Sequence, residues 1–294
     1  MVGLEACPGA HHWARQIVAL GHDVRLMPPQ YVKPYVKRQK NDAADAEAIC
    51  EAVTRPTMRF VAIKTEEQQA VLMLHRTREL LIRQKTMLIN SLRGQLGELG
   101  IIAPQGRTGL ADLVKLVSDK NVPLPALVRD AMLLLVTQLK ETVFRVTVLD
   151  QKIVRWHRSN KVSLRLESIP GVGPITASVI TASVVDGKQF RNGRQFAAWL
   201  GLVPRQNSTG GKSRLGGITK WGDSYIRKLL VVSSCALIRY AKDKSPSASW
   251  LARLLVRRPA KVAAVAMANK TARIIWAVLT QEREFSPIAA PVAA

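Results

Sequence analysis

The chain has 294 residues, 47% hydrophobic but only 5% aromatic, so Leu, Val, Ile and Ala must build its core. Lys and Arg number 44 against 21 Asp and Glu, a formal net charge of +23, and a surplus that large points to a polyanionic partner, with nucleic acid the default. The composition excludes a disordered chain, and the apolar stretches stop short of a bilayer span, which excludes a membrane-spanning one. Cys7, Cys50 and Cys235 are too far apart in sequence for a zinc pattern or a disulfide framework. The first residues lack the basic, apolar and cleavage regions of a signal peptide, so a cytoplasmic, nucleoid-associated protein is expected.

The first 51 residues carry six acids and six bases and are neutral in an otherwise basic chain. Residues 11–20 read as a helix, and residues 23–26, after Gly21, as a short strand. Asn41 is a plausible N-cap for a helix over residues 42–53. Residues 58–63 read as a second strand, and this alternation suggests an incomplete α/β unit over residues 1–64. Two long helices follow. The first, residues 66–99, carries Leu74, Leu81 and Leu88 at heptad spacing. The second, residues 126–156, carries a stripe of Met132, Val136, Leu139, Val143, Val146, Leu149, Ile153 and Trp156. They predict a coiled-coil helical hairpin over residues 65–160, with residues 100–125, rich in Pro and Gly, as its loop. Residues 161–286 read as mostly helical, and residues 287–294 as a tail. Within residues 187–261, sixteen Lys and Arg face only Asp223 and Asp243, a local net charge of +14.

Three constellations could carry chemistry. Asp42 and Asp45 sit three apart at a helix start and could, with Glu5, face one Mg²⁺, because hard cations take carboxylate oxygens. From spacing alone, a cap or dipole role for these acids is the plainer reading. The run Ile169-Pro170-Gly171-Val172-Gly173-Pro174 matches a helix-hairpin-helix turn, in which Gly171 and Gly173 let amides approach a phosphate. The loop over residues 204–214 sets Ser208 and Thr209 beside Gly210 and Gly211 and among Arg205, Lys212 and Arg214. That composition suits either a serine attacking a phosphodiester or a loop that only grips phosphate. Lys220, Arg227 and Lys228 extend the basic surface. No two histidines stand at metal spacing; His22, His75 and His157 read as packed or solvated. Trp199, Trp250 and Trp276 read as core. Trp221 does too, with stacking on a base or sugar as the other reading.

Together, GLEACPGAHHWA (3–14), KPYVKRQKNDAADAEAI (33–49), IPGVGPITA (169–177) and GLVPRQNSTGGKSRLGGITKWGDSYIRKLL (201–230) closely resemble the DEDD transposases of bacterial insertion sequences. The branch is that of the insertion sequence 110 family with a Ser-Thr-Gly-Gly-Lys motif. The resemblance implies an α/β RuvC-like, RNase H-type N-terminal domain, a coiled-coil segment and a mostly helical transposase domain. It implies a recombinase that cuts and joins element ends and target DNA under the guidance of a bridge RNA. Carboxylates would bind Mg²⁺, and a serine would form a covalent phosphoserine link to DNA. The family's second acid falls on Glu5, its closing acids on Asp42 and Asp45, and its serine on Ser208. Thr209 is the competing register, because other branches place the serine directly before glycine. The family's first acid, on an opening strand, has no counterpart ahead of Glu5, so an incomplete RuvC-like sheet with an exposed strand edge is expected. Poor solubility or low recombination activity would follow. A dimer or tetramer is expected by analogy. Two other readings stay open: an impaired remnant that only binds DNA or RNA, and a RuvC-like nuclease that cleaves through activated water.

Overall fold

The computed structural model describes residues 1–37, 41–244 and 250–286. Arg38 and Lys40 of the neutral segment and the expected tail at 287–294 lie outside the described residues. The N-terminal unit is a β-α-β arrangement. Strand β1 (Val2–Glu5) pairs in parallel with β2 (Val24–Met27) in the register Val2↔Val24 to Glu5↔Met27, and α1 (Ala10–Ala19) connects them. The short helix α2 (Pro29–Val32) and a 3₁₀ turn over Lys33–Tyr35 lead to α3 (Asp42–Val53). Asn41 caps α3 as expected, its side chain accepting from the Ala44 amide at 2.8 Å. The expected strand over residues 58–63 shrinks to one bridge between Val61 and Leu26. The Met58 amide is held by Arg55 O in a turn, and Phe60 lies exposed under the Arg25 guanidinium, so pairing cannot extend backwards from Val61.

Helix α4 (Glu66–Gly97) starts from a capping box: the Gln68 amide donates to Thr65 Oγ1, and the Thr65 amide to Gln68 Oε1. The segment expected as a loop contains a helix, α5 (Arg107–Ser118), whose Leu113 and Val117 plug the far end of the arm. Its Leu110-Leu113-Val114-Val117 pattern was the available signal. Helix α6 (Ala126–Ser159) returns antiparallel to α4 within the same chain. Three contacts along the pair fix that direction: Trp156 Nε1 to Glu67 at 2.6 Å, Arg78 to Asp150, and Met132 and Val136 against Leu92 and Leu96. The buried stripe of α6 departs from the expected one at Val143, which is exposed. Thr142 takes the inner position, because a straight helix drifts from a 3.5-residue repeat.

The C-terminal unit holds α7 (Lys161–Glu167), α8 (Pro174–Ser183), α9 (Gly193–Trp199), the antiparallel pair β3 (Pro204–Gln206) and β4 (Leu215–Ile218), α10 (Ser224–Lys244), α11 (Trp250–Arg257) and α12 (Ala260–Gln281). Its core joins Ile180, Phe196, Leu200, Ile226, Leu230 and Ile275. One expectation is corrected here: α12 is long and apolar enough, by length and composition, to cross a bilayer. Its Ala268, Ala272, Ile275 and Val278 face is buried in this core, which is ample reason for its apolar character.

Two histidines tie the units together. His157 bridges α6 to α7 through Ser163 Oγ (2.7 Å) and Glu167 (2.9 Å). His75 is buried between α4, α8 and α10. Ser178 donates its single hydroxyl proton to Pro174 O, so it accepts from His75 Nε2–H at 3.0 Å, and Tyr225 O–H donates to Nδ1 at 3.3 Å. His75 is therefore the neutral Nε2–H tautomer, and burial, helped by Arg78, lowers its pKa to about 4. The stabilisation this gives is complete above the unfolded value near 6.5 and is lost as pH falls towards 4, because the unfolded state takes the proton first. The loss reaches about 3 kcal/mol. Urea unfolding across that pH range should show a shallower acid slope for His75→Gln than for the parent; equal slopes would contradict this account.

Candidate catalytic and nucleic-acid site

The carboxylates are positioned by a glycine. Along β1, Gly3 and Glu5 face the same side. A Cβ built on Gly3 would lie 3.1 Å from Val53 Cβ and 3.2 Å from Ile49 Cγ2, so α3 crosses β1 at close range. Asp45, Ile49 and Val53 recur every four residues on one stripe of α3. The seat at Gly3 therefore brings Asp45 towards Glu5, and both line a cleft of about 750 Å³ with Lys33 and Lys37. Lys37 is held by Glu47 at 2.5 Å; Lys33 has no ion-pair partner among the described residues.

Asp42 does not line this cleft. It is exposed at the first position of α3, where its charge meets the helix N-terminus. Of the expected Glu5–Asp42–Asp45 set, the structure brings Glu5 and Asp45 to one cleft and leaves Asp42 outside it. Among the described residues, no group of three or more His, Cys, Asp or Glu could hold a metal. A cation that keeps several waters needs only one or two carboxylates plus substrate phosphates, and Glu5 with Asp45 fits that donor set. Gly3→Val should push α3 off β1 and cost about 1–3 kcal/mol. Any rise in melting temperature that Mg²⁺ gives the parent should vanish in the variant; an undiminished rise would contradict the positioning role of Gly3.

The Ser-Thr-Gly-Gly-Lys motif forms the tip of a β-hairpin. Thr209 and Lys212 exchange backbone hydrogen bonds, and Gly210 and Gly211 both take positive φ (53° and 75°), as a two-residue hairpin turn of this kind requires. The register Gln206↔Leu215 continues through Asn207 N donating to Arg214 O up to Thr209↔Lys212. Alternation then puts Ser208 on one face with Gln206, Ser213 and Leu215, and Thr209 on the other with Arg205, Lys212 and Arg214. Ser208 Oγ accepts from Gln206 Nε2 at 3.0 Å. The whole tip is exposed.

The remaining expected contacts divide. Lys212, Arg214 and Lys220 are exposed and without side-chain partners among the described residues, and Lys220 holds a left-handed backbone at φ 60°. Arg205 reaches Thr219 O at 3.4 Å. Arg227 is committed inward, to Leu200 O at 3.0 Å and Trp221 O at 3.1 Å, and Lys228 pairs with Glu79 at 3.3 Å. Gly171, at φ 84°, packs against Leu237, where an added Cβ would come within 2.7 Å. Arg227 and Gly171 thus make contacts within the protein, while Lys228 stays half-exposed beside its partner Glu79. Gly173 is open on its Cβ side and begins α8, which lacks a side-chain cap. Of the tryptophans read as core, Trp199 and Trp250 are more than a third exposed, and Trp221 is 57% exposed.

Residues 163–248 match the family described as Transposase IS116/IS110/IS902 family, and residues 2–101 match a DEDD family described as Transposase. Over 98% of this chain and 86% of its own length, the "Probable family 20 transposase" of Pseudomonas aeruginosa is 50% identical. The "Transposase for insertion sequence element IS1328" of Yersinia enterocolitica is 42% identical over 97% of this chain and 85% of its own length. The corresponding IS1111A protein of Coxiella burnetii is 41% identical over 97% and 79%. The chain belongs to the IS110 family of insertion-sequence transposases. As a transposase it has DNA as its partner. The DEDD match covers β1, α3 and the carboxylate pair; the second match covers the serine hairpin. DEDD transposases normally use a divalent metal, and Glu5 and Asp45 line one cleft.

Proposed function

We propose that this transposase exchanges DNA strands through a covalent link to Ser208, the DNA being selected by pairing with a guide RNA. The observation that carries the reading is the hairpin: it presents a hydroxyl at an exposed, glycine-turned tip with three cations on the same ribbon. Glu5 and Asp45 would hold Mg²⁺, which when bound offsets negative charge on the scissile phosphate. Gln206 orients the Ser208 hydroxyl, whose attack on the phosphodiester displaces the sugar hydroxyl of one strand; the sugar hydroxyl of the incoming strand then displaces the serine and restores it. Arg205, Lys212 and Arg214, on the opposite face, hold phosphates flanking the one attacked. Lys220 and the open start of α8 at Gly173 extend the backbone grip. The guide RNA rests on the family resemblance and on the charge surplus of +23. A dimer or tetramer would find an exposed apolar row on α4, Met73, Leu80 and Met87, at heptad spacing.

The lack of a three-donor metal group among the described residues favours a second reading, a chain that binds DNA or RNA without cutting it. One experiment separates these from a RuvC-like nuclease. Denaturing gels of the chain incubated with element-end DNA, guide RNA and Mg²⁺ should show a protein–DNA adduct. Cleavage without an adduct indicates the nuclease, and binding without cleavage the second reading.

A further inference from the structure

Between the N-terminal unit and the base of the serine hairpin lies a cleft of about 660 Å³. Tyr31 and Phe60 line one side, Trp199 and Trp221 the other, in a chain only 5% aromatic. Arg59 and Lys64 also line it, and among the described residues no Asp or Glu does. Trp221 makes no ring contact and its indole N–H has no partner among the described residues. Trp199 is packed against Phe190, which also lines the cleft, and Phe196, with ring centroids 5.4 and 5.6 Å away. The hydroxyl of Thr219, which also lines the cleft, is buried without a hydrogen-bond partner.

The backbone turns that carry the two tryptophans are locked together. A Cβ on Gly222 would fall 1.9 Å from Trp199 O, and one on Gly201 would fall 2.1 Å from Trp221 O, so the turns carrying the indoles interlock. The Lys220 amide donates to Gly201 O at 3.1 Å, and Arg227 spans both turns through Leu200 O and Trp221 O. Such rigidity is unneeded for an ordinary surface loop and suits a surface on which flat groups stack. A cleft of about 660 Å³ has the size of a small-molecule site, room for a few bases rather than for a duplex.

We propose that this cleft takes unpaired bases of the DNA strand being exchanged, with Trp221 as the stacking surface and Arg59 and Lys64 on the neighbouring phosphates. The choice of DNA rests on the strand-exchange reading above, because Thr219 follows directly from the hairpin that carries Ser208. Aromatic platforms flanked by cations are the sequence-tolerant way to hold single strands.

The test is fluorescence anisotropy with a labelled single-stranded DNA oligonucleotide and with the duplex of the same sequence, at fixed salt. Trp221→Ala should weaken single-strand binding roughly ten- to hundredfold and duplex binding less than about threefold. Trp221→Phe should restore most of the loss. No change, or equal losses for both DNAs, would overturn the proposal. So would Trp221-dependent binding of single-stranded RNA tighter than that of DNA. If Trp221→Ala does not fold, Phe60→Ala on the opposite wall carries the same expectation. None of these readouts uses Ser208. A Ser208→Ala variant that still recombines would remove the serine mechanism and leave the cleft untouched, whereas unchanged single-strand affinity in Trp221→Ala would remove the cleft alone.

Discussion

Ser208→Ala should lower strand exchange by at least about 10³-fold, while affinity for duplex DNA stays within about threefold. The size follows from the chemistry: a covalent route has no substitute once its nucleophile is gone. The selectivity follows from the structure. Ser208 is exposed, and its hydroxyl accepts a single hydrogen bond, from Gln206, so truncation leaves no buried group unpaired and no cavity. Thr209→Ala is the paired control. Thr209 shares its face with Arg205, Lys212 and Arg214, so its loss should perturb phosphate gripping, with a fall in rate of about tenfold. If Thr209→Ala abolishes exchange and Ser208→Ala does not, the reacting phosphate lies on the cationic face and Thr209 is the nucleophile. Gel assays of exchange and binding on the same DNA measure both quantities.

Asp45→Asn should lower strand exchange by about 10²-fold or more and leave DNA affinity equal or higher. Asp45 and Glu5 line one cleft with Lys33. If the carboxylates serve a cation at the scissile phosphate, neutralising one removes catalysis. It also removes negative charge from the surface the DNA approaches, so binding cannot suffer for electrostatic reasons. Glu5→Gln should behave alike. Asp42→Asn, at an exposed position outside the cleft, should cost far less. Equal losses for Asp42→Asn and Asp45→Asn would show that the substrate-bound cleft draws Asp42 in.

Much of this was legible in the sequence. The Asn41 cap, the first helix, the strand after Gly21 and the long helices follow from local rules, and the structure agrees within a few residues at each end, whereas β1 and its parallel pairing with β2 had no reading in the sequence. Helix α5 was hidden by the prolines and glycines around it, although its apolar spacing was visible. The strand expected over residues 58–63, where Phe60 and Val61 favour strands locally, shrinks to one bridge because partner availability is a tertiary property. Site residues were legible as types, not as orientations. Nothing in the spacing of Ser208, Thr209 and the cations shows which share a face; only the hairpin register does. Likewise Arg227 and Lys228 read as free cations until the Leu200 and Trp221 carbonyls and Glu79 are placed beside them. The role of Gly3 in bringing Asp45 to Glu5 has no local signature, because it depends on how closely a helix fifty residues on crosses the strand.

The most direct measurement is mass spectrometry of peptides from a protein–DNA adduct trapped on element-end DNA with guide RNA and Mg²⁺, digested with nuclease and protease. The account predicts a nucleotide phosphate esterified to Ser208 in the peptide spanning the hairpin tip. An adduct on another residue, or cleaved DNA with no adduct at all, would contradict it.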